Sequence, residues 1–203
     1  TGGRVMEFMK ALENRRSHYA IGREVSISNE TLSEIVREAL RHTPSAYNSQ
    51  SARAVVLFGN HHDRLWNIVM EKLREIVAPE KFEPTEKKVN AFKAGYATVL
   101  FFDDSTTTEG LQKRFPLYSR NFGIWADQAN GMAQHSVWVA LEQEGLGASL
   151  QHYNELIEEA VREEWGLDAG WKLTAQMPFG NIVTPPGEKE FMDINERVKV
   201  FEG

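Results

Sequence analysis

Five uncharged hydrogen-bonding side chains, Ser45, Tyr47, Asn48, Ser49 and Gln50, fall within six residues between Pro44 and the apolar run 54–58. Such a set either caps and turns the backbone or meets the rim of a flat polar ligand with both donors and acceptors. A second cluster, Arg15-Arg16-Ser17, sits where an N-terminal helix should end. Two guanidiniums beside a hydroxyl suit a phosphate, because each offers a planar fork of donors that stays charged. Cations at a helix C-terminus also need no ligand, since they complement its dipole. The third cluster is "EGLGASLQHYN", residues 144–154. Its glycines permit close backbone approach to a ligand, and they also serve as a helix stop before an Asn154 N-cap. That bland reading leaves Gln151 and His152 unexplained. Lys189 and Arg197 add cations in the tail, where they reach the first cluster only if the tail folds back.

Other chemistry finds little support. The 203 residues contain no cysteine, which removes disulfides, thiolate nucleophiles and thiolate-held metals. Any redox chemistry must then be carried by a bound cofactor. His61-His62-Asp63 is a poor metal site, because adjacent side chains diverge and no third ligand is near; no metal is expected. GxSxG, GxGxxG, P-loop and HExxH motifs are missing from the sequence. No side chain stands out as catalytic, and Trp125 and Trp138 suit packing. A net charge of −6 argues against a nucleic-acid partner, which needs a clustered basic surface. With no apolar span of membrane length and no signal sequence, no membrane partner is expected and the cytoplasm is the default location. The opening "TGGRV" suggests an expression remnant or a trimmed terminus.

The elements that must position these clusters follow from periodicity. Helices are predicted over residues 7–15, with Phe8, Met9 and Leu12 on one face, and after Ser28 as N-cap, with Leu32, Ile35, Val36, Ala39 and Leu40 inward. Further helices are predicted over 63–77, with Ile76 among its buried residues, and over 87–93. A long one runs over 121–144, burying Ile124, Met132, Val137, Ala140 and Leu141, and another over 156–165. Strands are expected at 52–59, at "YATVLFFDD" (96–104), at "WKLTAQMPFG" (171–180) and at the late "VKVF" (198–201). Residues 105–120 look like an irregular excursion. Helices are often consecutive, which favours α+β over a doubly wound sheet. The composition, 41% apolar and 26% charged, suits one domain over 1–203. A late strand with nothing left to pair suggests that 186–203 is an arm reaching a partner subunit.

Taken in order, Arg15-Arg16-Ser17, "PSAYNSQ", "GLGASLQHYN" and the tail "PPGEKEF…ERVKVF" resemble the FMN-dependent nitroreductase family over essentially the whole chain. The likeness is strongest to its short subgroup, the yeast fatty-acid-repression-mutant type and the bacterial copper-induced nitroreductases. The resemblance implies an α+β homodimer with a mainly antiparallel sheet and FMN at the subunit interface. It makes Arg15, Arg16 and Ser17 ligands of the phosphate and ribityl chain, joined by Lys189 and Arg197. It brings Asn48 and Gln50, with Ser45 and Tyr47, to the flavin from the partner, and sets the backbone of Gln151 and His152 near the ring and its N5. It implies NADH or NADPH as donor and ping-pong reduction of nitroaromatics, quinones or similar acceptors. An alternative is a flavin-binding regulatory or stress protein with low turnover; a flavin-free interaction module is a third. Two positions depart from the family's pattern. Tyr19 stands where many members carry a cation toward the flavin, and Ser51-Ala52 replaces a Pro-Trp pair.

Overall fold

The apolar run ahead of the acid pair Asp103-Asp104 forms the centre of the sheet. A computed structural model describes residues 2–203. In it β3 (Ala97–Asp104) is buried from Ala97 to Asp103 and pairs antiparallel on both sides, with β2 (Ala52–Phe58) and β5 (Trp171–Ile182). The strand order is β1-β5-β3-β2, where β1 is Ile21–Gly22; β4 (Leu146–Ala148) also pairs with β5. Side chains alternate between the two faces of a strand. Val99 and Phe101 accordingly pack with Leu32 and Val36 of α2 (Asn29–Arg41) and Val137 and Leu141 of α6 (Ser119–Gln143). Leu100 and Phe102 pack under α3 (Asn60–Ile76), α4 (Phe82–Lys93) and α7 (Asn154–Glu164). Both faces are covered, which is why the run reads as continuously apolar instead of alternating.

The α2 cap forms as expected, with Ser28 Oγ accepting the Thr31 N–H at 3.1 Å. Several expectations need correction. Residues 105–120 are no irregular excursion: Asp104 accepts the Thr106 N–H and starts helix α5 (Ser105–Arg114), followed by a 3₁₀ turn at Pro116–Tyr118. Helix α1 is Gly2–Asn14, beginning before the 7–15 span expected; Thr1 lies outside the described residues. Phe8 and Met9 are exposed, and among the residues of that helix whose burial is described, Ala11 is the buried one. Ile76, Ile124 and Met132 are exposed too. Asn154 is the first residue of α7, not its cap. The tail forms no strand over 198–201, where Val198, Val200 and Phe201 are exposed. Periodicity marks these residues as apolar positions, but burial also needs an opposing surface, which this chain does not give them.

His62 shows why the His-His-Asp triplet is structural. It is fully buried, with one ring nitrogen 3.0 Å from the Lys93 carbonyl and the other 2.8 Å from Thr98 Oγ1. A carbonyl only accepts, so Nε2 carries the proton and Nδ1 accepts from the hydroxyl, to which Trp66 Nε1 also donates. His61 Nδ1 is engaged separately by Trp165 Nε1 at 3.0 Å. Burial holds the His62 pKa below its ordinary value, against smaller opposing contributions from the Lys93 carbonyl and Asp63. Its contribution to stability is therefore complete above the unfolded pKa of about 6.5 and is lost as pH falls toward the folded value. Urea midpoints measured from about pH 7.5 down to about 5 should fall for the wild type, at no more than about 1.4 kcal/mol per pH unit from this group. The fall should be shallower in His62→Gln. An equal slope in both would assign the pH dependence elsewhere.

Candidate active site

Arg15-Arg16-Ser17 leaves the end of α1 and is fastened to β4. Ser17 bridges Ala148 in parallel register, and the His18 N–H donates to the Ala148 carbonyl at 2.9 Å. The approach is close because residue 147 is glycine. A Cβ there would lie 2.8 Å from both Cβ and Cγ of His18. The first and third clusters are thus neighbours through a short β-interaction that neither announces alone.

The tail folds back onto the first cluster. Arg16 Nη2 donates to the Gly187 carbonyl at 2.6 Å, and residues 184–189 join residues 15–20 around a cavity of about 440 Å³. Arg15, Arg16 and Lys189 share this cavity with one acid, Glu188. Tyr19 lines it as well and is more than half exposed. Arg197 does not line it and lies exposed beside the 3₁₀ turn Ile194–Glu196. The Arg15 guanidinium stacks on Trp138 of α6, 4.5 Å from the ring centroid. Its positive field also reaches His135 and Glu142, one helical face of α6 with Trp138. Burial raises the Glu142 pKa, opposed by His18, whose Nε2 lies 3.3 Å from Glu142 Oε2 without the alignment of a hydrogen bond. His18 is buried on the cavity wall with neither ring nitrogen hydrogen-bonded within the described residues. A cluster of cations with a hydroxyl, beside a buried imidazole whose Nδ1 has no partner among the described residues, fits a phosphate-bearing ligand with further polar groups.

Beyond Ala148 the chain keeps alongside β5. Gln151 exchanges both backbone hydrogen bonds with Gln176, at 2.7 and 2.9 Å, so its amide is already committed. His152, the next residue, is exposed, and its N–H has no backbone partner among the described residues. It borders a separate cavity of about 730 Å³ with Tyr153, Lys172 and Leu73. His152 lies four residues beyond Ala148, at most about 14 Å of chain. A ligand anchored at Ser17 can run along this segment to His152.

The polar loop stands apart. Tyr47, Asn48 and Gln50 are the non-glycine residues with positive φ among the described residues, at 57°, 49° and 51°. Left-handed backbone costs an L-residue about 1–2 kcal/mol, and such strain gathers where a loop must hold an unusual shape. Ser45 Oγ fixes the turn by accepting the Gln50 N–H at 3.0 Å. The Tyr47 ring meets Phe115, Phe122 and Trp125, so Trp125 braces the loop. Gln50 and Ser45 line a further cavity of about 300 Å³ with Leu40 and Ala129. This loop adjoins Ala52, paired with Asp103, whereas Ser17 adjoins Ala148, paired with Phe179 and through it with Ala97. Six residues of β3 separate the two ends, about 20 Å at strand rise. One chain therefore unites the first and third clusters with Lys189, but not the second.

Sequence reasoning missed His18, Glu142 and Gln176, and read Trp138 only as packing. The polar stripe His135-Trp138-Glu142, at helical spacing, was the available signal for Trp138 and Glu142. A nitroreductase-family model matches residues 12–181, a span that contains all three clusters. The chain belongs to the nitroreductase family. Nitroreductase FRM2 of Saccharomyces cerevisiae is 33% identical over 196 residues, 96% of each chain. Nitroreductase CinD from Lactococcus lactis, solved with chloramphenicol, is 44% identical with a TM-score of 0.89, over 96% of this chain and all of the other. A protein from Desulfovibrio desulfuricans solved with FMN shares the fold alone, at 19% identity and a TM-score of 0.66 over 96% and 97%. This nitroreductase has the family's open antiparallel sheet flanked by helices, and it is an oxidoreductase.

Proposed function

We propose that this nitroreductase is an FMN-dependent NAD(P)H oxidoreductase that reduces nitroaromatics, quinones or similar acceptors, working as a homodimer. When bound, the flavin would supply hydride chemistry at N5 between a nicotinamide donor and the acceptor, in ping-pong order. The observation that carries this reading is the convergence of Arg15, Arg16, Ser17 and Lys189 on one cavity, with Ser17 bridged to Ala148, where the segment that leads to His152 begins. In this reading the two arginines and the lysine neutralise the phosphate, and Ser17 donates to it or to the adjoining chain. The free N–H of His152 faces the ring. The CinD complexes with chloramphenicol and 4-nitrophenol favour aromatic nitro compounds as acceptors. No side chain acts as nucleophile, in keeping with a chain that has no cysteine.

A second copy completes the site. Loop 45–50 lies about 20 Å of strand from the cradle in its own chain, so Asn48 and Gln50 meet a flavin held by the other copy. Three surfaces suit such a pairing. Ile124 and Met132 are exposed on α6, and nothing lies within 4 Å of a Cβ built at Gly123 or Gly131. Among the described residues the outer edge of β2 has no neighbouring strand, and unpaired strand edges invite pairing. The arm 186–203 carries exposed Phe191, Val200 and Phe201 and can supply that edge from the partner.

The visible spectrum after FMN addition and desalting, with light scattering on the same sample, tests this reading. A yellow dimer bleached by NADH or NADPH is expected. A dimer that keeps flavin but bleaches only over hours would indicate a regulatory protein, and a colourless one would end the cofactor assignment. Tyr19 offers a phenol where a cation would stabilise anionic reduced flavin. Tyr19→Lys should therefore raise the flavin potential, and an unchanged or lower potential would refute that role.

A further inference from the structure

Gln176 is a polar side chain in the middle of a central strand, and it is fully buried. A buried amide left unpaired costs about 1–3 kcal/mol, yet here each of its functional ends is used on one short segment. Oε1 accepts the Tyr153 N–H at 2.8 Å, and Nε2 donates to Asn154 Oδ1 at 2.7 Å. Its backbone exchanges both hydrogen bonds with Gln151. One residue thus grips positions 151, 153 and 154 and leaves His152 between them as the exposed member with a free amide. The grip is reinforced by a β-bulge. Register shifts between Phe101 and Phe102, which face Ala175 and Leu173, so Thr174 is the extra residue. The carbonyl of Thr174 accepts from Asn154 Nδ2 at 2.9 Å, and its hydroxyl donates to Asn130 Oδ1 at 2.8 Å. Asn130 Nδ2 in turn donates to the Phe102 carbonyl at 2.9 Å.

We infer that Gln176 is a positioning residue, one that acts through the 151–154 turn and holds the His152 amide at a fixed place and angle against the redox-active edge of the bound ring. The inference rests on the flavin reading above. An oxidised ring nitrogen offers a lone pair to that amide, whereas the reduced ring carries a hydrogen there. A fixed N–H therefore discriminates between the two forms, and a loose one does not. A donor fixed in advance also loses less entropy on binding than one that must be ordered by the ligand.

The test uses the dimeric protein with FMN as probe, comparing wild type with Gln176→Met, a near-isosteric change that deletes both side-chain bonds. Asn154→Ala is the second variant, in case the buried substitution does not fold. Affinity for oxidised FMN should fall about tenfold more than affinity for reduced FMN, which raises the two-electron potential by about 30 mV. Hydrogen exchange at the Tyr153 amide should quicken in Gln176→Met before flavin is added. Equal weakening of both redox forms, with a lower melting temperature, would make Gln176 merely structural and overturn the inference alone. A wild type that takes up no flavin would overturn both this inference and the reading beneath it.

Discussion

Replacing Arg15 and Arg16 together by alanine is expected to weaken FMN binding by at least a hundredfold and to leave a protein that desalts colourless. Hydrogen bonds to charged groups contribute about 1.5–3 kcal/mol each, so two lost guanidiniums give about 3–6 kcal/mol, or roughly two to four decades. The two residues are not equivalent. Arg16 also fastens the returning tail through the Gly187 carbonyl, so Arg16→Ala alone should loosen residues 184–189 and with them Lys189. Arg15 is held from the other side by the Trp138 face, so Arg15→Ala alone should spare the tail. Riboflavin, which has no phosphate, separates the contributions. Its affinity should change little in the Arg15 variant if that residue serves the phosphate. Equal losses for riboflavin and FMN would place Arg15 elsewhere on the ligand. Folding is checked by the melting temperature, which should move little because both side chains are on the surface of the cavity.

How much of this was legible beforehand depends on the kind of signal. The core elements were, because β3 and the helices α2, α3 and α6 carry long apolar patterns, although the pattern alone misassigned Ile76, Ile124 and Met132. The chemistry of the clusters was also legible, since arginine pairs and amide-rich loops have few uses. Their meeting was not. Ser17 touches Ala148 through one bridge and the glycine at 147, and β1 is two residues long, too short for any periodic signal. The Gln176 network escaped because one amide in an otherwise apolar strand has no pattern of its own. The misplaced expectations share a cause: Ile124, Met132, Phe8 and the 198–201 segment are apolar positions without a surface to meet in their own chain. Reading Ile124, Met132 and Phe8 as core was an error about one chain, and Ile124 and Met132, with the exposed 198–201 segment, supply the argument for a second.

The largest effect on stability is expected at Gly180. A Cβ there would lie 2.1 Å from the carbonyl oxygen of Gly22 and 3.1 Å from the Tyr96 amide nitrogen. Both are backbone atoms, so no rotamer change relieves the overlap, and the pairing of β1 with β5 must open. Gly180→Ala should cost about 2–4 kcal/mol, at the upper end of the ordinary range for an overpacked side chain and beyond. Gly22→Ala faces the same pairing from the other strand but meets the Asn181 side-chain oxygen at 2.6 Å. That side chain can rotate, at the loss of the hydrogen bond it accepts from the Glu24 N–H, so the expected cost is about 1 kcal/mol. The difference reaches the site, because β1 directly follows Arg15–Tyr19, and the Val183 N–H is held by the Ala20 carbonyl just ahead of the returning tail. Opening β1 frees both walls of the anion cavity at once. Gly180→Ala should therefore lower affinity for FMN well beyond Gly22→Ala, even at a temperature where both variants are folded. Denaturant midpoints and flavin titrations on the two variants measure this directly. Equal FMN affinities despite unequal stabilities would mean that the cradle is held by β4 alone, through Ala148 and His18.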